Sequence, residues 1–376
     1  MAEQQGPSMV NQGTALRELL VTKPWIYGPG VYDCISAGAA AATGHDVAYM
    51  SGYSVAASLG FADLGVVTAT QMVDRAREIT SFYKRYPVVR NLPLIADADT
   101  GYGDFFNAII ATQDYIDAGV AAIHLEDQLS PKRCGQIAGK VCVSIDEATS
   151  KIEAASEARY ERNPDLVIIS RTDIIGAVGG DLDQAVERSI AYLKAGADLA
   201  WIEFPDTNLD QISYVPNKIK AYFRDHPGEL PRHLKETGPR FAFNYSSNKE
   251  WHTADPLITH EMLAELCYRY IFTTMVGIHA AAKSMHDTFA DYRKHGAEAQ
   301  WRQEKDKKGH PTQSYQQMHG MAPLKFELAK RFDPESGKRL AESSGFGSTR
   351  EGDHAARVHG RPGGKPGHET WAERDN

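Results

Sequence analysis

Short apolar runs that alternate with longer stretches of helical spacing constrain this chain more than any other feature. Eight runs rich in Val, Ile and Leu fall at Trp25–Gly28, Val47–Ser51, Pro93–Ala96, Ala121–Leu125, Asp165–Ser170, Leu199–Phe204, Arg240–Phe243 and Tyr270–Met275. Continuous rather than alternating apolar runs suit strands of a parallel sheet covered on both faces. Between and after them the spacing predicts helices near 33–43, 70–85, 104–118, 146–160, 181–195, 208–223, 256–266 and 277–293. Punctuation agrees. Asp104 can N-cap the third helix and Gly119 end it, and Ser144 and Glu147 stand at capping-box spacing. Leu182, Ala185, Val186, Ser189, Ile190 and Leu193 fall on one face of the fifth helix, which Gly196 closes.

Eight such units predict an α/β fold, a (β/α)8 TIM barrel. A doubly wound open sheet is the rival. It would want a glycine-rich phosphate turn after the first strand, and Gly28-Pro29-Gly30 does not continue as one. The barrel is expected over 15–295, after a flexible 1–14. A helical extension is expected over 296–330, then a polar arm over 331–376. Gly, Pro, Ser, Arg and His dominate that arm, which reads as extended or disordered, either a solubilising tail or an oligomer contact.

The 376 residues carry a net charge of -8. That balance argues against a general nucleic-acid binder, which needs a basic footprint. No apolar run approaches the roughly 20 residues of a membrane span, and the first residues lack a signal-peptide pattern. Four cysteines show no close metal-type doublets. The expectation is a soluble, cytoplasmic, reduced protein.

A barrel places its chemistry where strands end. Those ends offer Tyr49, Ser51, Gly52 and Tyr53; Asp97 and Asp99; His124 and Glu126; Arg171 and Asp173; Glu203; Asn244 and Ser246; and Thr273 and Thr274. Asp97 and Asp99, two apart in an extended segment, point the same way. Side by side they repel unless a cation lies between them. Magnesium suits them, with manganese the alternative cation, and Glu126 could hold one of its waters. The plainer alternative is a solvated loop with helix-capping acids.

Lys132-Arg133-Cys134-Gly135 forms a loop beyond the fourth strand. Two cations beside a thiol favour the thiolate, and Gly135 permits a mobile loop. Such a cysteine could pass a proton to a carbanion. A basic surface loop with an incidental cysteine is the alternative. Cys34, Cys142 and Cys267 read as small core residues. The Arg171 fork matches a carboxylate, unless it pairs with Asp173 or another strand-end acid. Glu203 needs a partner inside the barrel mouth, and orienting Arg171 or accepting a substrate hydroxyl would supply one. His124 is expected to bond within the acidic cluster.

From about Gly28 to Met285 the chain resembles the isocitrate lyase/phosphoenolpyruvate mutase superfamily. The motifs are Tyr49-Met-Ser-Gly-Tyr53, Leu59-Gly-Phe-Ala-Asp63-Leu-Gly65, Ala96-Asp-Ala-Asp-Thr-Gly-Tyr-Gly103, His124-Leu-Glu-Asp-Gln128, Pro131-Lys-Arg-Cys-Gly135, Ser170-Arg-Thr-Asp173 and Asn244-Tyr-Ser246. The resemblance implies a magnesium-dependent barrel enzyme acting on a 2-oxo or 2-hydroxy di- or tricarboxylate. It also implies a homotetramer that exchanges its eighth helix. Lys-Arg-Cys-Gly points to the carbon–carbon lyase branch and its oxaloacetate-hydrolysing relatives.

On this resemblance Asp97, Asp99 and Glu126 hold the metal, and Tyr49 or a nearby carboxylate accepts a proton. Cys134 returns a proton to a succinate carbanion. Arg171, Asn244, Ser246 and Thr274 neutralise that fragment, Glu203 fixes Arg171, and Ser51, Gly52, Tyr53 and Gly135 line the substrate. Isocitrate, giving glyoxylate and succinate, is the expected substrate. 2-Methylisocitrate, giving pyruvate and succinate, is the alternative, with oxaloacetate-type hydrolysis more distant.

The chain departs from the family where Tyr53 replaces a common Trp, Gln136 a His, and Asn248 a Ser. A longer insertion carried by many isocitrate lyases is absent. A non-catalytic relative would draw only on Gln136 and Asn248.

Overall fold

The structure, a computed structural model, describes residues 11–85, 90–135, 137, 139–310, 331–335 and 338. The chain runs α1 (Gln12–Thr22), β1 (Ile26–Val31), α2 (Cys34–Ala42), β2 (Ala48–Met50), α3 (Gly52–Ser58), α4 (Ala69–Arg85), β3 (Leu94–Asp97), α5 (Phe105–Ala118), β4 (Ala122–Glu126) and α6 (Ile145–Arg162). It continues through β5 (Val167–Thr172), α7 (Leu182–Lys194), β6 (Leu199–Ile202), α8 (Leu209–Asp225), β7 (Phe241–Asn244), α9 (His260–Glu265), β8 (Tyr268–Thr273), α10 (Val276–His295) and α11 (Ala297–Asp306). The eight strands form a closed parallel barrel in chain order, with β8 paired back to β1. Every residue of β2 to β6 is buried, which is why these segments read as unbroken apolar runs.

Two compact units are distinguished. Among the described residues, one holds those of 11–33, 45–80 and 92–279, and so the whole barrel; the other holds those of 34–44, 81–91 and 280–338. In the first, α5 packs on α6, α6 on α7 and α7 on α8. In the second, Tyr83 Oη donates to the Ala37 carbonyl at 3.1 Å. The Gln136 position, residues 311–330 of the expected helical extension, and nearly all of the expected polar arm lie outside the described residues.

All eight expected strands form, with ends displaced by up to three residues. The fifth is expected at Asp165–Ser170, yet β5 continues through Arg171 and Thr172. Asp104 and Asn107 build a capping box on α5, and Gly119 ends it at φ +82°. Ser144 accepts from the Glu147 amide at 3.1 Å. On α7, Arg188 and Tyr192 are buried beside Ala185, Ser189 and Leu193. Both polar tips reach Asp127 Oδ2, at 3.0 and 2.9 Å, a pairing that apolar periodicity cannot reveal. The cysteines expected in the core are all only partly buried. Cys142 donates to Asp127 Oδ1 at 3.2 Å.

The first helix was not expected, and its residues 12–14 fall within the stretch read as flexible. Leu16 and Leu20 of α1 join one core cluster with Ile26, Val47, Val167 and Leu199 of the barrel. Arg17 Nη1 meets Asp198 Oδ1 at 2.9 Å, and Arg159 Nη1 meets Asp198 Oδ2 at 2.8 Å. Among the described residues no helix is long and apolar enough to cross a membrane.

Candidate active site

The carboxyl ends of the strands gather the expected acids, though not in the expected way. Asp97 ends β3, and the chain then turns rather than extending: Asp99 has φ +46°, and its amide donates to Asp97 Oδ1 at 3.0 Å. A short loop, not strand alternation, therefore brings both acids to one site. Asp97 Oδ2 accepts the Gly52 amide at 2.9 Å, and a Cβ on Gly52 would lie 2.5 Å from that oxygen. Glycine is thus required where α3 meets β3. This contact engages the Gly52 N–H expected for substrate. Ser51 Oγ likewise caps α3 through the Ser54 amide.

Tyr49 Oη lies 2.9 Å from His124 Nε2 and 3.5 Å from Asp97 Oδ2. Burial and Asp97 hold the Tyr49 phenol well above its ordinary range. Burial, reinforced by Arg171, holds His124 well below its own, so both are neutral. His124 Nε2 also stands 3.3 Å from Asp97 Oδ1, within the acidic cluster as expected.

Lys132 was expected beside the cysteine thiol. Its ammonium instead pairs with Asp63 Oδ1 at 2.6 Å and Asp99 Oδ1 at 2.8 Å. Burial alone would lower the Lys132 pKa, but Asp99, Asp63 and Glu126 outweigh it and raise it well above its usual value. Burial pushes the Asp99 and Glu126 carboxyls upward, opposed by Lys132 and Arg171 respectively.

Among the described residues no group of three His, Cys, Asp or Glu side chains converges as a finished metal shell. The donor set nevertheless fits a hard cation. Asp97, Asp99 and Glu126 offer only carboxylate oxygens, all three are buried, and Glu126 Oε1 has no hydrogen-bond partner. Magnesium needs only one or two carboxylates and keeps several waters.

Arg171, on β5, stands between two acids. Nη1 is 2.8 Å from Glu126 Oε2, Nε is 2.8 Å from Asp173 Oδ2, and Nη2 donates to Asp173 Oδ1 at 3.0 Å. The guanidinium lies 4.2 Å from the Trp201 ring centroid. Burial would raise the Asp173 pKa, but Arg171 and Lys140 outweigh it and hold it at about 2. The expected Asp173 pairing is present, and Glu126 adds to it.

Two side chains and one backbone carbonyl pin the cysteine loop. Gln128 brackets Arg133 through its backbone N and O, Asp63 accepts the Cys134 amide on its carbonyl at 3.1 Å, and Lys140 donates to the Gly135 carbonyl at 2.6 Å. Cys134, Gly135, Arg171, Glu203, Asn244, Ser246, Thr274, Tyr49, Tyr53 and Asp97 line one cleft of about 30 Å³. That is room for little more than a water or two.

At the far side, Glu203 Oε2 accepts from Trp201 Nε1 at 3.1 Å and Asn244 Nδ2 at 3.3 Å. Thr274 Oγ1 donates to Asn244 Oδ1 at 2.8 Å. Lys249 Nζ lies 3.7 Å from Glu203 Oε1. Arg171 pairs with Glu126 and Asp173 at close range, and the Glu203 carboxylate adds to the electrostatic pull that stabilises its charge. Ser246 is buried, and its Oγ accepts the Asn248 amide at 3.4 Å. Tyr53 meets His279 edge-on at 6.1 Å. Sequence reasoning missed Asp63, Lys140 and Lys249 as site residues. Asp63 stands inside the Leu59–Gly65 motif, and the two lysines give no signal.

Comparison with known proteins agrees with this geometry. A family model described as phosphoenolpyruvate phosphomutase matches residues 16–227. The chain is 40% identical over 335 residues to the isocitrate lyase of Haloferax volcanii, across 88% of this chain and 90% of the relative. It is 32% identical over 273 residues to a probable 2-methylisocitrate lyase of Corynebacterium glutamicum, across 73% and 79%. A crystal structure of phosphonopyruvate hydrolase with oxalate and Mg2+ superposes at a TM-score of 0.61 and 27% identity, across 76% of this chain and 88% of that one. By its barrel, its strand-end acids, its cysteine loop and these relatives, the chain belongs to the phosphoenolpyruvate mutase/isocitrate lyase superfamily.

Proposed function

We propose that this protein is a magnesium-dependent carbon–carbon lyase that cleaves isocitrate to glyoxylate and succinate. The observation that carries the reading is one cleft that gathers Tyr49 and Asp97 with Cys134, Arg171, Asn244, Ser246 and Thr274. Similarity to the Haloferax isocitrate lyase over nearly the whole chain supports the substrate.

Asp97 and Asp99, with Glu126 through water, would hold magnesium, which when bound acidifies the substrate's 2-hydroxyl and screens its adjacent carboxylate. Tyr49, kept neutral by burial, acts as a hydrogen-bond donor, so a carboxylate of the acid cluster accepts the hydroxyl proton. The hydroxyl oxygen becomes the carbonyl of the 2-oxo acid as the C–C bond breaks. The electron pair of that bond passes to the succinate fragment. Arg171, Asn244, Ser246 and Thr274 face this fragment and neutralise its charge. The Cys134 thiol gives its proton to the carbanion while the loop excludes water.

A cytoplasmic homotetramer is part of the proposal. None of the four cysteines is in a disulfide, which suits a reducing compartment. Helix α10 has no buried residue and exposes Met285 and Phe289, which a neighbouring copy would cover.

The test offers isocitrate, 2-methylisocitrate and oxaloacetate separately to the magnesium-loaded protein, after sizing it in solution. Glyoxylate from isocitrate, at the highest kcat/KM and from a species of four chain masses, is expected. Pyruvate from 2-methylisocitrate at higher kcat/KM would move the enzyme to the alternative substrate. Oxalate and acetate from oxaloacetate would make it a hydrolase.

A further inference from the structure

Lys249 takes no part in the reaction described above, yet it is one of the most enclosed cations of the barrel. Its side chain is 6% exposed, its ammonium donates to the Phe204 carbonyl, and it lies 3.7 Å from Glu203 Oε1 and 5.6 Å from the Trp251 ring centroid. The Lys249 amide donates to the Ser246 carbonyl at 3.2 Å, and Trp251 Nε1 donates to the same oxygen at 2.8 Å. The Trp251 ring is stacked on Tyr245 at 4.1 Å. The side chain therefore reaches from the loop after β7 back to the end of β6.

Burying an ammonium is costly unless a partner needs it. Glu203 is that partner. Its second oxygen receives Trp201 and Asn244, and Asn244 in turn receives Thr274. One polar chain, Lys249–Glu203–Asn244–Thr274, thus joins the ends of β6, β7 and β8. Glu203 lines the cleft and Lys249 does not. An uncompensated carboxylate there would repel an anionic substrate. An ammonium behind it cancels that charge without occupying the cleft, and holds Glu203 at the angle that presents Asn244.

We propose that Lys249 is a positioning residue for substrate binding, one that fixes Glu203 and through it aims Asn244 and Thr274 at the substrate's distal carboxylate. The proposal rests on the lyase reading above for the identity of the substrate, not for the clamp itself.

The test compares wild type, Lys249→Met and Lys249→Arg, each loaded with magnesium. Lys249→Met is expected to raise KM for isocitrate about tenfold, leaving kcat nearly unchanged. Lys249→Arg, which restores charge and donors, should recover most of that loss. An unchanged KM in Lys249→Met, a fall in kcat alone, or an Arg variant no better than Met would overturn the proposal. Amide hydrogen exchange over residues 244–251 is followed on the same samples. Faster exchange there in Lys249→Met, with Tm retained, is expected, and unchanged exchange would overturn the clamp. A wild type that cleaves none of the offered acids defeats the lyase reading, and the exchange measurement still decides the clamp.

Discussion

Gly135 sits so close to Arg171 that an added Cβ would fall 2.4 Å from Nη2, and 3.2 Å from Asp173 Oδ1. Arg171 cannot retreat, because Glu126 and Asp173 hold it at 2.8 Å on either side. The methyl of Gly135→Ala would therefore displace the loop rather than the arginine, and carry Cys134 away from the cleft. A shift on the order of 1 Å at a reacting group can cost about a hundredfold in rate. Gly135→Ala is expected to lower kcat/KM by about that factor with Tm nearly unchanged, as steady-state kinetics and thermal unfolding would show. Wild-type kinetics in this variant would mean that the loop does not work at this distance.

The same few residues mark the limit of what could be read from sequence. Acids and amides at strand ends were legible because a barrel fixes where strands end. The partners of Lys132, Lys140 and Lys249 were not, because each reaches across the chain or back along its own loop.

Elements divide by the face of the barrel they serve. The strands were legible because burial on both faces leaves an unbroken apolar run. Their ends were misplaced where functional polar residues continue the strand, as Arg171 and Thr172 do in β5. Helix α3 escaped notice because seven residues opening on Gly52 carry too little periodicity. Helix α1 escaped because its hold on the barrel is partly ionic. Gly13 packs so tightly that a Cβ would lie 2.4 Å from the Asp165 carbonyl. Arg17 and the buried Arg159 share Asp198, 2% exposed, which also accepts the Ile168 amide at 2.8 Å. Removing that carboxylate strands two cations. Asp198→Ala is therefore expected to cost about 3–5 kcal/mol of stability. KM should hold, since this end of a barrel serves stability rather than chemistry. Urea unfolding beside KM for isocitrate checks both halves, and a stability loss below about 1 kcal/mol would show the network to be weakly coupled.

For the whole molecule, composition bears on the class of partner more than on the identity of a substrate. A net charge of -8 is unfavourable for binding polyanions, yet the proposed substrate is itself an anion. The cleft reconciles the two through Arg171 and Lys132, cations buried among the acids that line it. Family membership was legible because its motifs lie at the ends of consecutive strands and converge in the fold. The choice between isocitrate and 2-methylisocitrate was not, because one methyl group is worth only about 1–3 kcal/mol in a pocket.

In the proposed mechanism a loop cysteine completes carbon–carbon cleavage by protonating the carbanion. The most direct measurement is turnover of isocitrate by magnesium-loaded Cys134→Ser beside the wild type, with Tm recorded for both. A general acid contributes about 10²- to 10⁴-fold, so kcat should fall by that factor at unchanged Tm. Turnover equal to wild type would remove Cys134 from the mechanism and contradict the account.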